Sequence, residues 1–64
     1  MTTGRLLTEQ EAAELLNLSR RTLEAWRRRG KGPRFTKLGK LVRYRLQDVE
    51  QFITRNLNHG SRTA

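Results

Sequence analysis

Apolar and polar positions follow a helical period over the first part of the chain. Leu6-Leu7 is followed by the polar run Thr8-Glu9-Gln10-Glu11, then by Ala12, Ala13, Leu15 and Leu16. The spacing of these last four puts them on one face of a helix. Thr8 and Glu11 form a capping-box pattern: the hydroxyl accepts from the Glu11 amide, and the Glu11 carboxylate reaches back to the Thr8 amide. Glu9 and Glu11 also suit the positive end of the helix dipole. The first helix therefore begins at Thr8 and ends near Leu16-Asn17, because Asn tolerates the left-handed backbone that closes helices. The small Ala13 lets a second helix approach closely. Ser19 is the next N-cap. The second helix runs from Arg20 to Arg28 or Arg29, where Gly30 ends it. Two short helices joined by a turn of about three or four residues have helix-turn-helix spacing.

Gly30-Lys31-Gly32-Pro33 breaks regular structure. Strands are expected over 34–38 and 41–45, with Gly39-Lys40 between them as a type II′ turn. That register places Phe35, Lys37, Val42 and Tyr44 on one face. Arg34, Thr36, Leu38, Leu41, Arg43 and Arg45 fall on the other, which leaves Leu38 and Leu41 outside; a longer turn or a bulge would bring Leu38 inward, and both are compatible with the pattern. The helical period returns at Val49, Phe52, Ile53 and Leu57. A third helix is expected from Gln47 to about Asn56, with Asp48 and Glu50 in its first turn and only Leu46 or Arg45 to cap it. The fold class is mostly α with a small β-hairpin, a winged helix-turn-helix of order α-α-β-β-α. A flexible polar arm (1–5) and a flexible polar tail (58–64) are expected to flank the domain at 6–57.

Composition narrows the function. With 64 residues the chain is one domain at most, and a domain of this size buries only about 60% of its unfolded surface. Cysteine is absent and His59 is the only histidine. Neither a disulfide nor a metal centre is expected, and no cofactor. There is no nucleophile–base pair and no phosphate loop, so an enzyme is not expected. Fourteen Lys and Arg stand against six Asp and Glu, a net charge of +8. The sequence pI of about 11.6 is the electrostatic footprint of a nucleic-acid binder. No apolar run approaches the roughly 20 residues of a membrane span, and no signal-peptide core follows Met1. The expectation is a cytoplasmic protein without membrane contact.

The second helix concentrates the charge. Leu23 and Trp26 share its apolar side, and Arg21, Glu24, Ala25 and Arg28 form the opposite face. Arg20 and Arg27 flank one edge, Thr22 and Arg29 the other. A salt-bridged solvated helix normally mixes signs, whereas this one holds five Arg against one Glu. In a major groove Arg bonds bidentately to guanine or neutralises phosphates. Glu24 accepts from cytosine or orients Arg28, four residues on. The expected recognition residues are Arg20, Arg21, Thr22, Glu24, Ala25, Arg27 and Arg28, with base readout mainly by Arg21, Glu24 and Arg28. Trp26 is expected as the core anchor between helix and wing, and Phe35 and Tyr44 as core; a single-strand platform would need several exposed rings. Lys37, Lys40 and Arg43 are the wing residues expected on DNA, along a phosphate backbone or in the minor groove.

Several stretches resemble one known family. Leu7-Thr8-Glu9-Gln10-Glu11-Ala12-Ala13-Glu14-Leu15-Leu16 is similar to its opening helix. Ser19-Arg20-Arg21-Thr22-Leu23 with Trp26 is similar to its recognition helix. Gly32-Pro33, Leu38-Gly39 and Val42-Arg43-Tyr44-Arg45 look like its wing, and Asp48 to Ile53 like its closing helix. The family is the excisionase-type winged helix-turn-helix, related to MerR-type DNA-binding domains and AlpA-like phage and prophage regulators. Leu46 departs from the pattern, where the family often has a polar residue. The resemblance implies a second helix in the major groove, a wing in the minor groove, and double-stranded DNA as partner. It implies either an excisionase that binds and bends DNA to direct a site-specific integrase, or a small transcriptional regulator. Several copies on repeated DNA sites are expected, since one unit covers little DNA. MerR-type regulators carry a dimerisation helix and an effector domain after this module; neither stands in this sequence, so no small-molecule effector is expected. RNA binding and a protein-adaptor role are the remote alternatives.

Overall fold

The computed structural model describes the backbone of residues 5–63 and the side chains of residues 5–56. Except for Arg5, the expected arm lies outside the described residues, as does Ala64. The elements run β1 (Leu6–Thr8), α1 (Glu9–Leu16), α2 (Arg20–Arg28), β2 (Thr36–Leu38), β3 (Leu41–Arg45) and α3 (Leu46–Thr63). They form a small mixed domain of three helices and one three-stranded antiparallel sheet of order β1-β3-β2, a winged helix-turn-helix with one strand more than expected. β1 pairs Leu6, Leu7 and Thr8 with Arg45, Tyr44 and Arg43. Three residues are too few to display a strand period, and the partner that makes them a strand lies at the far end of the wing.

Both helices of the turn end in the same motif. After α1, the Leu18 amide donates to the Ala13 carbonyl (2.8 Å) and the Asn17 amide to the Glu14 carbonyl (3.0 Å), with Asn17 at φ 59°. After α2, the Lys31 amide donates to Trp26 (2.8 Å) and the Gly30 amide to Arg27 (3.1 Å), with Gly30 at φ 75°. This is the Schellman arrangement, in which a left-handed residue lets the chain turn back and satisfy the last carbonyls. The starts are capped as expected: the Thr8–Glu11 capping box is complete, and Ser19 accepts from the Thr22 amide. Turn geometry and caps thus define the angle between α1 and α2 before any core contact is counted.

In the wing, Thr36, Lys37 and Leu38 pair with Arg43, Val42 and Leu41. The turn is therefore the two-residue Gly39-Lys40 connection. Gly39 has φ 66° and Lys40 is not in the left-handed region, the pattern of a type II′ turn. Leu38 and Leu41 face outward and are about half exposed. No bulge turns Leu38 in. β3 runs into α3 without a loop. The Leu46 amide donates to the Arg5 carbonyl (2.9 Å), so the sheet ladder satisfies an amide that no side-chain cap serves. The helix starts at Leu46 rather than Gln47 and runs to Thr63, through most of the expected tail. Propagating a helix already formed adds one hydrogen bond per residue, and no proline stops it.

The buried core is Leu7, Ala12, Ala13, Leu23, Tyr44 and Val49, with Leu16, Trp26, Val42 and Leu46 packed against it. Three expected core residues are not in it. Leu15 is 50% exposed and Phe35 43%, and Ile53 is exposed as well. The core is thus narrower than the apolar pattern of the chain. Trp26 packs on Phe52, with ring centroids 6.1 Å apart. It therefore joins α2 to α3, and it packs against the core that includes Tyr44 of the wing.

Candidate nucleic-acid interface

The side chains of α2 and its C-cap Arg29 differ in exposure. Arg20, Arg21, Arg28 and Arg29 are exposed, while Thr22, Glu24 and Ala25 are half-buried. The Thr22 hydroxyl accepts from Ser19 Oγ at 2.9 Å, so it belongs to the cap and keeps only its own proton to donate. Arg28 Nη2 donates to Glu24 Oε2 at 3.2 Å, with side-chain exposures of 72% and 35%. This is the orienting role expected of Glu24, and it leaves most of the Arg28 guanidinium accessible. Arg20, Arg21 and Arg29 make no ion pair among the described residues.

Arg27 sits differently. Its Nε donates to Glu9 Oε2 at 2.8 Å and its Nη2 to Glu9 Oε1 at 3.4 Å, with side-chain exposures of 17% for Arg27 and 10% for Glu9. The guanidinium also lies over the Phe35 ring, 5.6 Å from its centroid, a cation–π contact. The Tyr44 hydroxyl donates to the same Glu9 oxygen at 3.2 Å. Arg27 is thus engaged inward, not presented with the other recognition residues. The sequence signal was present: Arg27 follows Leu23 by four residues and shares its buried side. Glu9 was read only as a dipole-favoured first-turn acid, because its partners lie in α2 and β3, far along the chain.

The electrostatics follow from this packing. Burial alone would raise the Glu9 carboxyl. The hydrogen bond and charge of Arg27, the Tyr44 hydroxyl and the charge of Arg20 outweigh it and hold the group below the ordinary carboxylate value. Burial, then the charge of Glu9 and the bond to it, pushes the Tyr44 phenol up to about 12. The hydrogen bond to Glu9 raises Arg27 further, against its own partial burial. All three groups therefore hold fixed protonation states through the neutral range: carboxylate, phenol and guanidinium.

Thr8, Glu9, Gln10, Arg20, Glu24 and Arg27 line one wall of an open groove, and Lys40, Leu41, Val42 and Arg43 line the other. The fold thus brings five expected residues, Arg20, Glu24, Arg27, Lys40 and Arg43, to one cleft between α2 and the hairpin. Arg21 and Arg28 lie outside it on the exposed side of α2, and Lys37 is exposed on β2 and does not line it. Arg43 is half-buried and its Nη1 donates to the Val42 carbonyl at 2.8 Å, which curls it against the strand. Lys31 and Arg34, absent from the expected set, line a second groove at the loop between α2 and β2 together with Arg27, Arg45 and Asp48. Arg45 is paired there with Asp48 at 3.0 Å. No helix among the described residues is long and apolar enough to cross a membrane.

No curated protein and no solved structure matches the chain. A family model for a helix-turn-helix domain, a DNA-binding family, matches residues 6–57. The match covers both capped helices, the turn between them, the hairpin and the start of α3, and the chain belongs to the helix-turn-helix domain family.

Proposed function

We propose that this chain binds specific sites on double-stranded DNA, as a binding protein and not an enzyme, and that its role is that of an excisionase acting in the cytoplasm. One observation carries the reading. Arg20, Arg21 and Arg28 are exposed on the second helix of a helix-turn-helix, and Arg20 lines one groove with Lys40 and Arg43 of the hairpin. A helix of this kind fits a major groove, and a thin cationic hairpin beside it reaches the neighbouring backbone or minor groove. Arg21 and Arg28 read bases, Glu24 orients Arg28, and Lys40 neutralises phosphate. Arg27 contributes through its inward pair. The excisionase role is supported by the resemblance of the wing and recognition-helix residues to that type. In this role several copies occupy repeated sites and bend the duplex by neutralising one side of it, so that a site-specific integrase is steered toward excision.

The experiment is selection of genomic fragments with the purified protein, then footprinting of the best fragment. Protection of direct repeats beside an integrase attachment site is the expected result. Protection over a promoter away from any attachment site would make the protein a transcriptional regulator instead, and protection of one short site alone would remove the multi-copy mechanism.

A further inference from the structure

The two surfaces that the proposed function places on DNA are not each other's main packing partners. α2 rests chiefly on α1, while β3 rests on β1, β2, α1 and α3. β1 supports only Arg43, Tyr44 and Arg45 of β3. The hairpin from Lys37 to Val42 projects beyond that support as two strands, and a two-stranded ribbon is marginal by itself. What spans the gap is a set of side chains gathered on one carboxylate. Glu9, at the first position of α1, takes Arg27 from the last turn of α2 at 2.8 Å and Tyr44 from β3 at 3.2 Å. Phe35, just before β2, closes the cluster. Its ring lies 6.2 Å from that of Tyr44 and under the Arg27 guanidinium.

We infer that Glu9 is a positioning residue for DNA binding: it holds the hairpin at a fixed offset from the recognition helix, so that both reach one duplex together without Glu9 touching it. The inference rests on the reading that α2 and the hairpin contact the same DNA. Physically it is a statement about effective concentration. Once α2 is seated, the wing meets its phosphate at a local concentration set by how stiffly the two are joined. Glutamine in place of Glu9 keeps the shape and removes the charge that holds Arg27, so the joint loosens while both contact surfaces remain.

The test is a mutant cycle on a footprinted duplex, with every affinity measured well below the melting temperature of each variant. Lys40→Ala should weaken wild-type binding by roughly three- to tenfold, but Glu9→Gln binding by less than about twofold. Arg21→Ala should keep its effect in both backgrounds, since α2 itself is intact. Tyr44→Phe leaves the ring in the core and removes only the hydroxyl that ties β3 to Glu9. It should shrink the Lys40→Ala effect in the same direction, and it carries the test if Glu9→Gln does not fold. A purely stabilising role would lower the melting temperature yet leave the Lys40→Ala ratio unchanged in both variants, and that result overturns the inference. Should the wild-type protein bind no duplex, the DNA reading fails by itself and the free protein still decides the joint. Residual dipolar couplings of α2 and of the hairpin should fit a single alignment tensor in the wild type and require two in Glu9→Gln or Tyr44→Phe. A single tensor in all three overturns it.

Discussion

Two neighbouring arginines of α2, Arg27 and Arg28, each pair with a glutamate, with nearly the same chemistry and opposite surroundings. Glu9–Arg27 is mostly buried, bidentate, and closed by a phenol and an aromatic ring. Glu24–Arg28 is a single contact at 3.2 Å between neighbours on one helix, open to water. The inward pair joins three elements distant in sequence; the outward pair only biases a rotamer. An exposed ion pair is worth little because solvent screens it and two long side chains must be held still. A mostly buried one matters mainly through what its loss leaves behind, an uncompensated charge in a poorly hydrated place. The comparison teaches that arginine content alone does not count DNA contacts: adjacent Arg27 and Arg28 serve different ends of the molecule.

Stability is the sharpest way to break this contrast. Glu9→Ala strands Arg27 and should cost about 2–4 kcal/mol in urea unfolding, a large fraction of a small domain's total. Glu24→Ala should stay within about 0.5 kcal/mol. Equal losses would mean that the inward network contributes no more than a surface pair.

On DNA the order reverses. Arg28→Ala and Arg21→Ala should each cost about 1–3 kcal/mol of binding and relax base preference at the position they face. Uniform losses on every sequence would show that the helix reads no bases. Arg27→Ala should lower the melting temperature and, in the Lys40→Ala background, leave the salt dependence of binding unaltered. A shallower slope in that background would move Arg27 onto a phosphate.

pH probes the inward cluster further. The folded-state carboxyl of Glu9 lies below the ordinary carboxyl value of 4.5. Its contribution is therefore complete above about that pH and is lost as pH falls through the folded value. Tyr44 has the opposite sign. Its folded value of about 12 exceeds the ordinary phenol value of 10.0, so the unfolded state releases the proton first, and stability falls as pH rises from about 10 to 12. Unfolding curves for Glu9→Gln should lack the acid step, and those for Tyr44→Phe the alkaline one. Persistence of either step in its variant would assign it elsewhere. On DNA, Lys40→Ala should cost less than Arg21→Ala or Arg28→Ala, a loss about equal on all duplexes with the salt slope shallower by roughly one unit.

Much of this molecule is written locally. The Thr8–Glu11 box, the Ser19 cap and the left-handed Asn17 and Gly30 all depend on residues within a few positions of one another, and each could be placed from the chain alone, whereas the wing turn stayed open between a two-residue connection and a longer or bulged one until the strand register fixed it. The same holds for the exposed arginines of α2, since a helical period is a local property. What the chain alone did not show depends on partners remote in sequence. β1 is a strand only because β3 passes beside it. Leu15 and Phe35 are exposed although their apolar character placed them inside, and Phe35 is covered only in part, by the Arg27 guanidinium and the Tyr44 ring. Arg27 turns inward because α1 presents Glu9 and the wing presents Tyr44 at one point. Local sequence thus determined the helices, the turns and the sign of the surface. Tertiary packing decided which charges face DNA and which are used to hold the fold, because removing a charge from water is tolerable only where distant groups converge to pair with it.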